Sequence, residues 1–389
     1  MARKAKARRA KARKATKPRL GRDVGKRRKS DIDTLSREMM REESASARST
    51  KRRLADAGPE RAPLNLVTGA SGRLGSFLLG ALLAKKERVR VLQRRGAPAS
   101  YPKGVEIAYG ELADRAALEK AVDGVDRVFH LAALVSHSAS PEALLEVNYK
   151  GTRNLMDACR ARAFSLSRFV YISSIAVYGK SIETLPATEE TPLNPSDWYG
   201  KSKAMAEEVV MQYTERIPVV VIRPAVIYGE GFDEAYLPML SALEKGKMPI
   251  IGKGNNVIPF VHVKDVVRGI LLASTSENAP GNAYILASDE RKTQREIYAI
   301  ACKHLGVSPP NGSSPAWLVK LKLRLANLSA ALSGKKPKLL EEHIDTISAN
   351  RYYSIDKARV DLGYRPQVRL EEGIGEMVEY YRSSKGGKL

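Results

Sequence analysis

The sequence predicts an α/β fold, a doubly wound parallel sheet wrapped by helices, and three observations predict it. From Pro63 onward, short apolar runs alternate with helical stretches. The first run leads into a turn with glycines at three-residue spacing that opens a helix. Everything before Pro63 lacks this alternation and is built of Ala, Lys, Arg and Ser with almost no aromatic or β-branched residues.

The runs expected as strands are 64–68, 88–92, 105–109, 127–131, 169–173 and 218–222. Residues 74–84 are expected as a helix between the first two, and 141–162 as another between the fourth and fifth. Past Gly229 the alternation is less regular. A β-like 257–263 and a helix at 266–273 sit among loops rich in Gly and Pro. From about Thr293 the chain reads as helices, including 317–332, whose spacing suits a helix packed on the body.

Charge is uneven along the chain. Residues 1–62 hold 22 Lys/Arg against 8 Asp/Glu, which places +14 of the net +23 in that segment. Such a composition cannot bury enough apolar area to offset its ordering entropy, so a disordered basic tail is expected. It is expected to attract polyanions without sequence readout, because no aromatic residues are interleaved with its cations. The two cysteines, Cys159 and Cys302, fall in no metal-ligand or CxxC spacing, so neither a metal site nor a disulfide is expected. No apolar run reaches the ~18 residues of a membrane span, and the start lacks the apolar core of a secretory signal, so a cytoplasmic protein with no integral membrane segment is expected.

The segment from Leu66 to Gly75 joins strand to helix through Gly69, Ser71, Gly72, Arg73, Leu74 and Gly75. Glycines permit the tight turn and let backbone N–H groups approach a pyrophosphate at the helix N-terminus. That makes the sheet a Rossmann-type one. Eighteen residues beyond Gly75, where a carboxylate would accept the ribose hydroxyls of NAD, stands Gln93 followed by Arg94 and Arg95. With no acid to repel a 2′-phosphate and two guanidinium groups to fork it, NADP is the expected cofactor and NAD the alternative. The expected organisation is the tail at 1–62, an NAD(P)-binding Rossmann domain at 63–230, and 231–385. The last is a smaller, mainly substrate-binding subdomain with some segments returning to the sheet.

At this point the chain resembles the extended short-chain dehydrogenase/reductases, the NAD-dependent epimerase/dehydratase family, from about Leu64 to Arg382. The glycine turn is followed in order by Gly110-Glu111-Leu112-Ala113-Asp114, His130-Leu131-Ala132-Ala133 and Asn148-Tyr149-Lys150-Gly151-Thr152. Ser173-Ser174, Tyr199-Gly200-Lys201-Ser202-Lys203 and Arg223-Pro224 complete the set. The resemblance implies that Glu111, standing where Asp is usual, and Leu112 lie beside the adenine. It also implies that Ala132 lies beside the cofactor, and that Pro224 and Val226 line the nicotinamide pocket. His262 occupies a place that is structural in the family pattern.

The chemistry of the central motif can also be read from the residues. A tyrosine with an ordinary pKa of ~10 needs a nearby cation to carry protons at neutral pH, and Lys203, four residues on, shares a helix face with Tyr199. Ser174 can hold the substrate oxygen near that tyrosine. Ser174, Tyr199 and Lys203 are thus the expected catalytic residues, with Lys203 also on the nicotinamide ribose. The reaction expected is hydride transfer between the cofactor and a small-molecule alcohol or ketone. Ser174-Ile175-Ala176 lacks the acidic pair of the sugar-nucleotide dehydratases. A nucleotide-sugar epimerase using the same residues is the alternative, and a non-catalytic NADP-binding regulator a weaker one. Asn256-Val257-Ile258-Pro259-Phe260, together with the stretches from Trp317 to Leu332 and from Tyr353 to Ala358, resembles the 3β-hydroxysteroid dehydrogenase and dihydroflavonol reductase branch, which implies an apolar or amphipathic substrate. A homodimer is left open.

Overall fold

A computed structural model describes residues 62–97, 100–136, 139–162, 165–332 and 341–386. The tail expected at 1–62 lies outside the described residues except for Ala62. In chain order the first half comprises β1 (Leu64–Thr68), α1 (Arg73–Ala84), β2 (Arg88–Gln93), β3 (Glu106–Tyr109), α2 (Arg115–Ala121) and β4 (Arg127–His130). It continues with α3 (Pro141–Leu144), a π turn (Leu145–Lys150), α4 (Gly151–Arg160), β5 (Arg168–Ile172), a 3₁₀ turn (Ile175–Tyr178), α5 (Trp198–Met211) and β6 (Val219–Pro224). The rest comprises β7 (Val226–Tyr228), α6 (Asp233–Glu244), β8 (Ile250–Ile251), β9 (Phe260–His262), α7 (Val263–Thr275), β10 (Asn282–Leu286) and α8 (Gln294–Leu305). Last come β11 (Ser313–Ser314), α9 (Ala316–Leu332), α10 (Glu341–Ser348), α11 (Asp356–Leu362) and α12 (Leu370–Gly386).

Seven parallel strands form the main sheet in the order β10-β6-β5-β4-β1-β2-β3. The chain winds outward from β1 in both directions, so the strand order reverses between β1 and β4, the place where such sheets take ligands. Alternate strand residues feed two cores. Val67, Val89, Val91, Phe129, Val170, Ile172, Val220 and Ile222 meet Leu78 and Leu82 of α1 and Val266 and Ile270 of α7. Leu64, Leu66, Val128, Phe169, Tyr171, Val219 and Val221 meet Leu118 of α2, Leu155 of α4 and Val210 of α5 on the other face. Complete burial of one such side chain is worth about 1.5–3 kcal/mol.

The six expected strands are all present, shifted by at most a residue or two at their ends. The differences lie elsewhere. Residues 141–160 are helical as expected but contain the π turn, which rotates the preceding turn relative to α4. Of the β-like 257–263 only Phe260–His262 is a strand. It pairs in parallel with β7 rather than with the main sheet, the Val226 N–H donating to the Pro259 carbonyl at its start. The strand β10 had no counterpart among the expected elements; it pairs with β6 and extends the sheet.

Candidate active site

The glycine turn follows β1 at the carboxyl edge of the sheet. Gly69 has φ +75°, and a Cβ there would stand 2.7 Å from the Ala132 nitrogen. A Cβ at Gly75 would stand 2.1 Å from the Gly69 carbonyl oxygen. The Gly72 N–H donates to that carbonyl at 3.0 Å, and no side chain caps α1. Ser71, Gly72 and Arg73 are exposed and Leu74 is half-buried. The helix therefore presents first-turn amides that have no helical acceptor, in a cradle that any side chain at 69 or 75 would fill. This arrangement fits a dinucleotide pyrophosphate.

Beside it, Gln93 ends β2 and is buried. Its Oε1 accepts from the Tyr101 hydroxyl at 2.6 Å and its Nε2 donates to the Ala97 carbonyl at 3.2 Å. Burial raises the Tyr101 hydroxyl, and the nearby Ser71 side chain of the glycine turn opposes that rise. Sequence reasoning missed Tyr101, whose signal is only an aromatic residue in a loop. Arg94 and Arg95 are both exposed, but the Arg95 guanidinium lies 5.6 Å from the Tyr109 ring centre. The structure thus leaves Arg94, rather than a pair, as the cation not stacked on a ring. Glu111 is exposed, and its carbonyl accepts from Asp114 N–H in the turn that opens α2. The Leu112 side chain packs into the second core, and its carbonyl accepts from Asn154. Ala132 donates its N–H to Thr68 Oγ1 at 3.2 Å.

Register brings the second group of residues to the same edge. Thr68 is paired with His130, and His130 with Tyr171, so the turns after β1, β4 and β5 leave the sheet side by side. With strands ~4.8 Å apart, the glycine turn and the turn after β5 are roughly 10 Å apart. Ser174 caps the 3₁₀ turn, its Oγ accepting from Ala176 N–H at 3.1 Å. Asp197 caps α5 by accepting from Gly200 N–H at 2.7 Å. A Cβ at Gly200 would stand 2.6 Å from the Ala176 carbonyl oxygen, so the start of α5 presses directly on that turn. That contact brings Tyr199 into hydrogen-bonding reach of Ser174. One turn on, Lys203 is buried; its Nζ donates to the Ile172 carbonyl and lies 4.3 Å from the Tyr171 ring centre.

Asn148, in the π turn, holds this helix in place. Its Oδ1 accepts from Leu134 N–H at 2.7 Å, and its Nδ2 donates to the Leu134 carbonyl and to Ser202 Oγ. Behind it, His130 sits between Thr68 Oγ1 at 2.7 Å and Thr152 Oγ1 at 2.9 Å.

The electrostatics correct one expectation. Burial pushes Tyr199 up to about 12, although the Ser174 hydrogen bond pulls it down; the Asp197 charge adds to the rise. Lys203 is itself pushed down to about 7 by burial, with the Glu207 carboxylate opposing. Burial also pushes His130 down to about 3, and the Lys203 charge adds to that shift.

Pro224 ends β6 in the core, and Val226, half-buried, opens β7 opposite Phe260. Arg223 is locked to Glu207 at 2.7 Å and donates to the Tyr178 hydroxyl at 2.6 Å. His262 is buried, with Nδ1 accepting from Lys264 N–H and Nε2 3.5 Å from Glu376, in keeping with a structural place. A cavity of about 110 Å³ beyond the ends of β6 and β10 is lined by Pro186, Pro259, Glu290, Arg291, Tyr352 and Tyr353, among others. None of Ser174, Tyr199 and Lys203 lines it.

The class that this sheet and cradle define is a Rossmann-type dinucleotide enzyme. The model of the NAD dependent epimerase/dehydratase family matches residues 65–287, more than half of the chain, and the chain belongs to that family. An uncharacterized protein of Sinorhizobium fredii is 32% identical over 82% of this chain and 79% of its own. The mouse sterol-4-alpha-carboxylate 3-dehydrogenase, decarboxylating, is 27% identical over 83% of this chain and 92% of its own. The solved UDP-glucose 4-epimerase of Thermus thermophilus in complex with NAD is 26% identical, with a TM-score of 0.63 over 82% of this chain and 99% of its own. The protein is an NAD(P)-dependent enzyme of the dehydrogenase and epimerase kind, and among the described residues no helix is long and apolar enough to cross a membrane.

Proposed function

We propose that the protein is an alcohol/ketone oxidoreductase in which Tyr199 is the general acid/base, Ser174 holds the substrate oxygen and Lys203 supports the tyrosine. The observation that carries this reading is that Tyr199, at the start of α5, lies beside Ser174 at the end of β5, two strands from the glycine cradle. In the oxidative direction the Tyr199 phenolate, its own proton having passed to solvent, takes the carbinol proton while Ser174 Oγ donates to the same oxygen, fixing it against the ring. A nicotinamide cofactor held in the glycine cradle would supply the hydride acceptor or donor. Lys203, already buried at the Ile172 carbonyl, is placed to exchange that acceptor for the nicotinamide ribose. Its positive charge would then offset the burial that holds Tyr199 high. Glu207, held by Arg223, favours the charged lysine.

Arg94 is proposed as the cation for a 2′-phosphate, which favours NADP over NAD. Residues 231–385 are proposed to supply most of the substrate pocket. The likeness to a sterol dehydrogenase, set beside the apolar Val226 and Phe260, favours an apolar or amphipathic alcohol. The likeness to a UDP-glucose 4-epimerase supports a second reading, in which the same residues remove and return one hydride.

Tyr199→Phe tests the first reading: cofactor affinity should stay within about twofold while turnover falls about 10²–10⁴-fold, since only the proton carrier goes. Undiminished turnover would remove Tyr199 from the mechanism. Net formation of oxidised or reduced cofactor supports the oxidoreductase, whereas product without net redox change supports the epimerase.

A further inference from the structure

Gln93 stands at the end of β2, where a carboxylate would receive the ribose hydroxyls of NAD. Its side chain is buried and already engaged at both ends. The Ala97 carbonyl can only accept, so the amide nitrogen must face it, at 3.2 Å. The amide oxygen is thereby turned to Tyr101, and the Tyr101 hydroxyl must be the donor, at 2.6 Å. The backbone sets the same arrangement. Gly110 N–H donates to the Gln93 carbonyl at 3.0 Å, and Ala97 N–H donates to the Arg94 carbonyl at 3.3 Å. Gly96, with φ +73°, supplies the left-handed residue that this turn requires. Tyr101 thus holds the amide oxygen, braces the loop that carries Arg94, and lies near Ser71 of the glycine turn.

We propose that Tyr101 is a specificity-determining residue that disfavours NAD(H), because its hydroxyl occupies the Gln93 oxygen that a ribose 2′-hydroxyl would otherwise use. The proposal rests on the dinucleotide reading above and adds to it. Arg94 would attract the 2′-phosphate, whereas Tyr101 withholds a contact from the ribose that lacks one. The two cofactors differ at one atom. In NAD(H) the 2′-oxygen carries a proton and needs an acceptor; in NADP(H) it is esterified and has no proton to give. An open amide oxygen at the end of β2 would therefore help the first and set a lone pair against the phosphate of the second. With the Tyr101 proton on that oxygen, neither effect operates.

The test is a fluorescence titration of the full chain with NADH and with NADPH, which reads binding and not turnover. The parent should prefer NADPH. In Tyr101→Phe the ring stays and a gap of one oxygen opens beside Gln93 Oε1; in Tyr101→Leu the gap is wider. In these variants the Kd for NADH should fall about tenfold, the worth of one hydrogen bond to a buried acceptor, while that for NADPH stays or rises. A loop merely loosened by the change weakens both cofactors, so a gain in NADH affinity is not a structural effect. Adding Gln93→Met to Tyr101→Phe deletes the acceptor and should cancel the gain. Tyr101 is only half-buried, so the variants should keep the circular dichroism of the parent.

A parent that prefers NADPH, with variants that bind NADH no better, overturns this proposal and leaves the dinucleotide reading standing. So does a gain that survives Gln93→Met. A parent that binds the two equally shows that Tyr101 discriminates nothing, and a parent that binds neither overturns the dinucleotide reading and this proposal with it.

Discussion

The sheet body and the region after Gly229 bury their apolar surface in different ways. The two cores of the body are dominated by Val, Ile and Leu projecting from strands of four to six residues held in register. The third core, formed by Tyr228 and residues after Gly229, is richer in aromatic residues and methionine: Tyr228, Tyr236, Phe260, Tyr298, Tyr381 and Met377. Its strands are only two or three residues long. Hydrogen-bond ladders order the first region, and large side chains filling irregular gaps order the second. Two histidines show the same contrast. His130 closes the body's site with neutral hydroxyl partners and a nearby lysine, whereas His262 lies beside the Glu376 carboxylate, which opposes the effect of burial. On the proposed function, a backbone cradle fixes the cofactor end and an adaptable wall is left for the substrate.

The largest way to break this contrast is in the cradle. Gly75→Ala places a Cβ 2.1 Å from the Gly69 carbonyl oxygen, inside the hard contact distance, so the turn must open. Cofactor binding, followed by fluorescence titration, should be lost, with a stability cost of about 3 kcal/mol or more. Near-normal binding would show that the turn yields.

The next effect is on acid stability. His130 titrates about 3 in the folded chain against 6.5 unfolded, so between those values the unfolded chain binds the extra proton and stability falls as pH falls. Above pH 6.5 both states are neutral and the term vanishes. By pH 3 it should cost on the order of 4 kcal/mol. Denaturant unfolding of the parent and of His130→Gln should therefore show a stability gap that narrows as pH falls from 6.5 to 3. A gap independent of pH would shift the acid sensitivity elsewhere, His262 being the first alternative.

Smaller is the change in cofactor choice. Arg94→Asp replaces the exposed cation with a carboxylate and should weaken NADPH relative to NADH by about 10–100-fold, the worth of one charge-assisted contact and its repulsive replacement. Equal parent affinities for the two cofactors would remove Arg94 from the 2′-phosphate site. Smallest is Thr293→Ala, in the region after Gly229. It removes a capping box in which Thr293 and Glu296 satisfy each other's backbone N–H, and should cost about 1 kcal/mol in thermal unfolding with cofactor affinity unchanged.

The contrast also explains what could be read in advance. The run 64–68 is mostly apolar and closed by Gly69, and 218–222 is mostly apolar and closed by Arg223 and Pro224, so both announce themselves. Asn282–Leu286 begins half-buried and mixes Asn with Tyr, so its run is too short to stand out. The tyrosine and lysine were legible as a spacing of four, but their pKa directions were not. Those depend on how much water the start of α5 loses against the turn after β5.

By itself, then, the sequence determined the winding of the sheet, the glycine cradle and the order of Ser174, Tyr199 and Lys203, because apolar period, missing Cβ atoms and helix spacing are local properties of the chain. Only the tertiary structure decided that Tyr101 closes the loop after β2, that Arg95 stacks on Tyr109, and that Lys203 rests on Ile172. It also decided that Trp317, Leu321 and Leu325 face outward, where a helix packed on the body was expected to hide its apolar residues. The reason is common to all four: each depends on which distant segment comes to lie against a side chain, and no spacing along the chain records that.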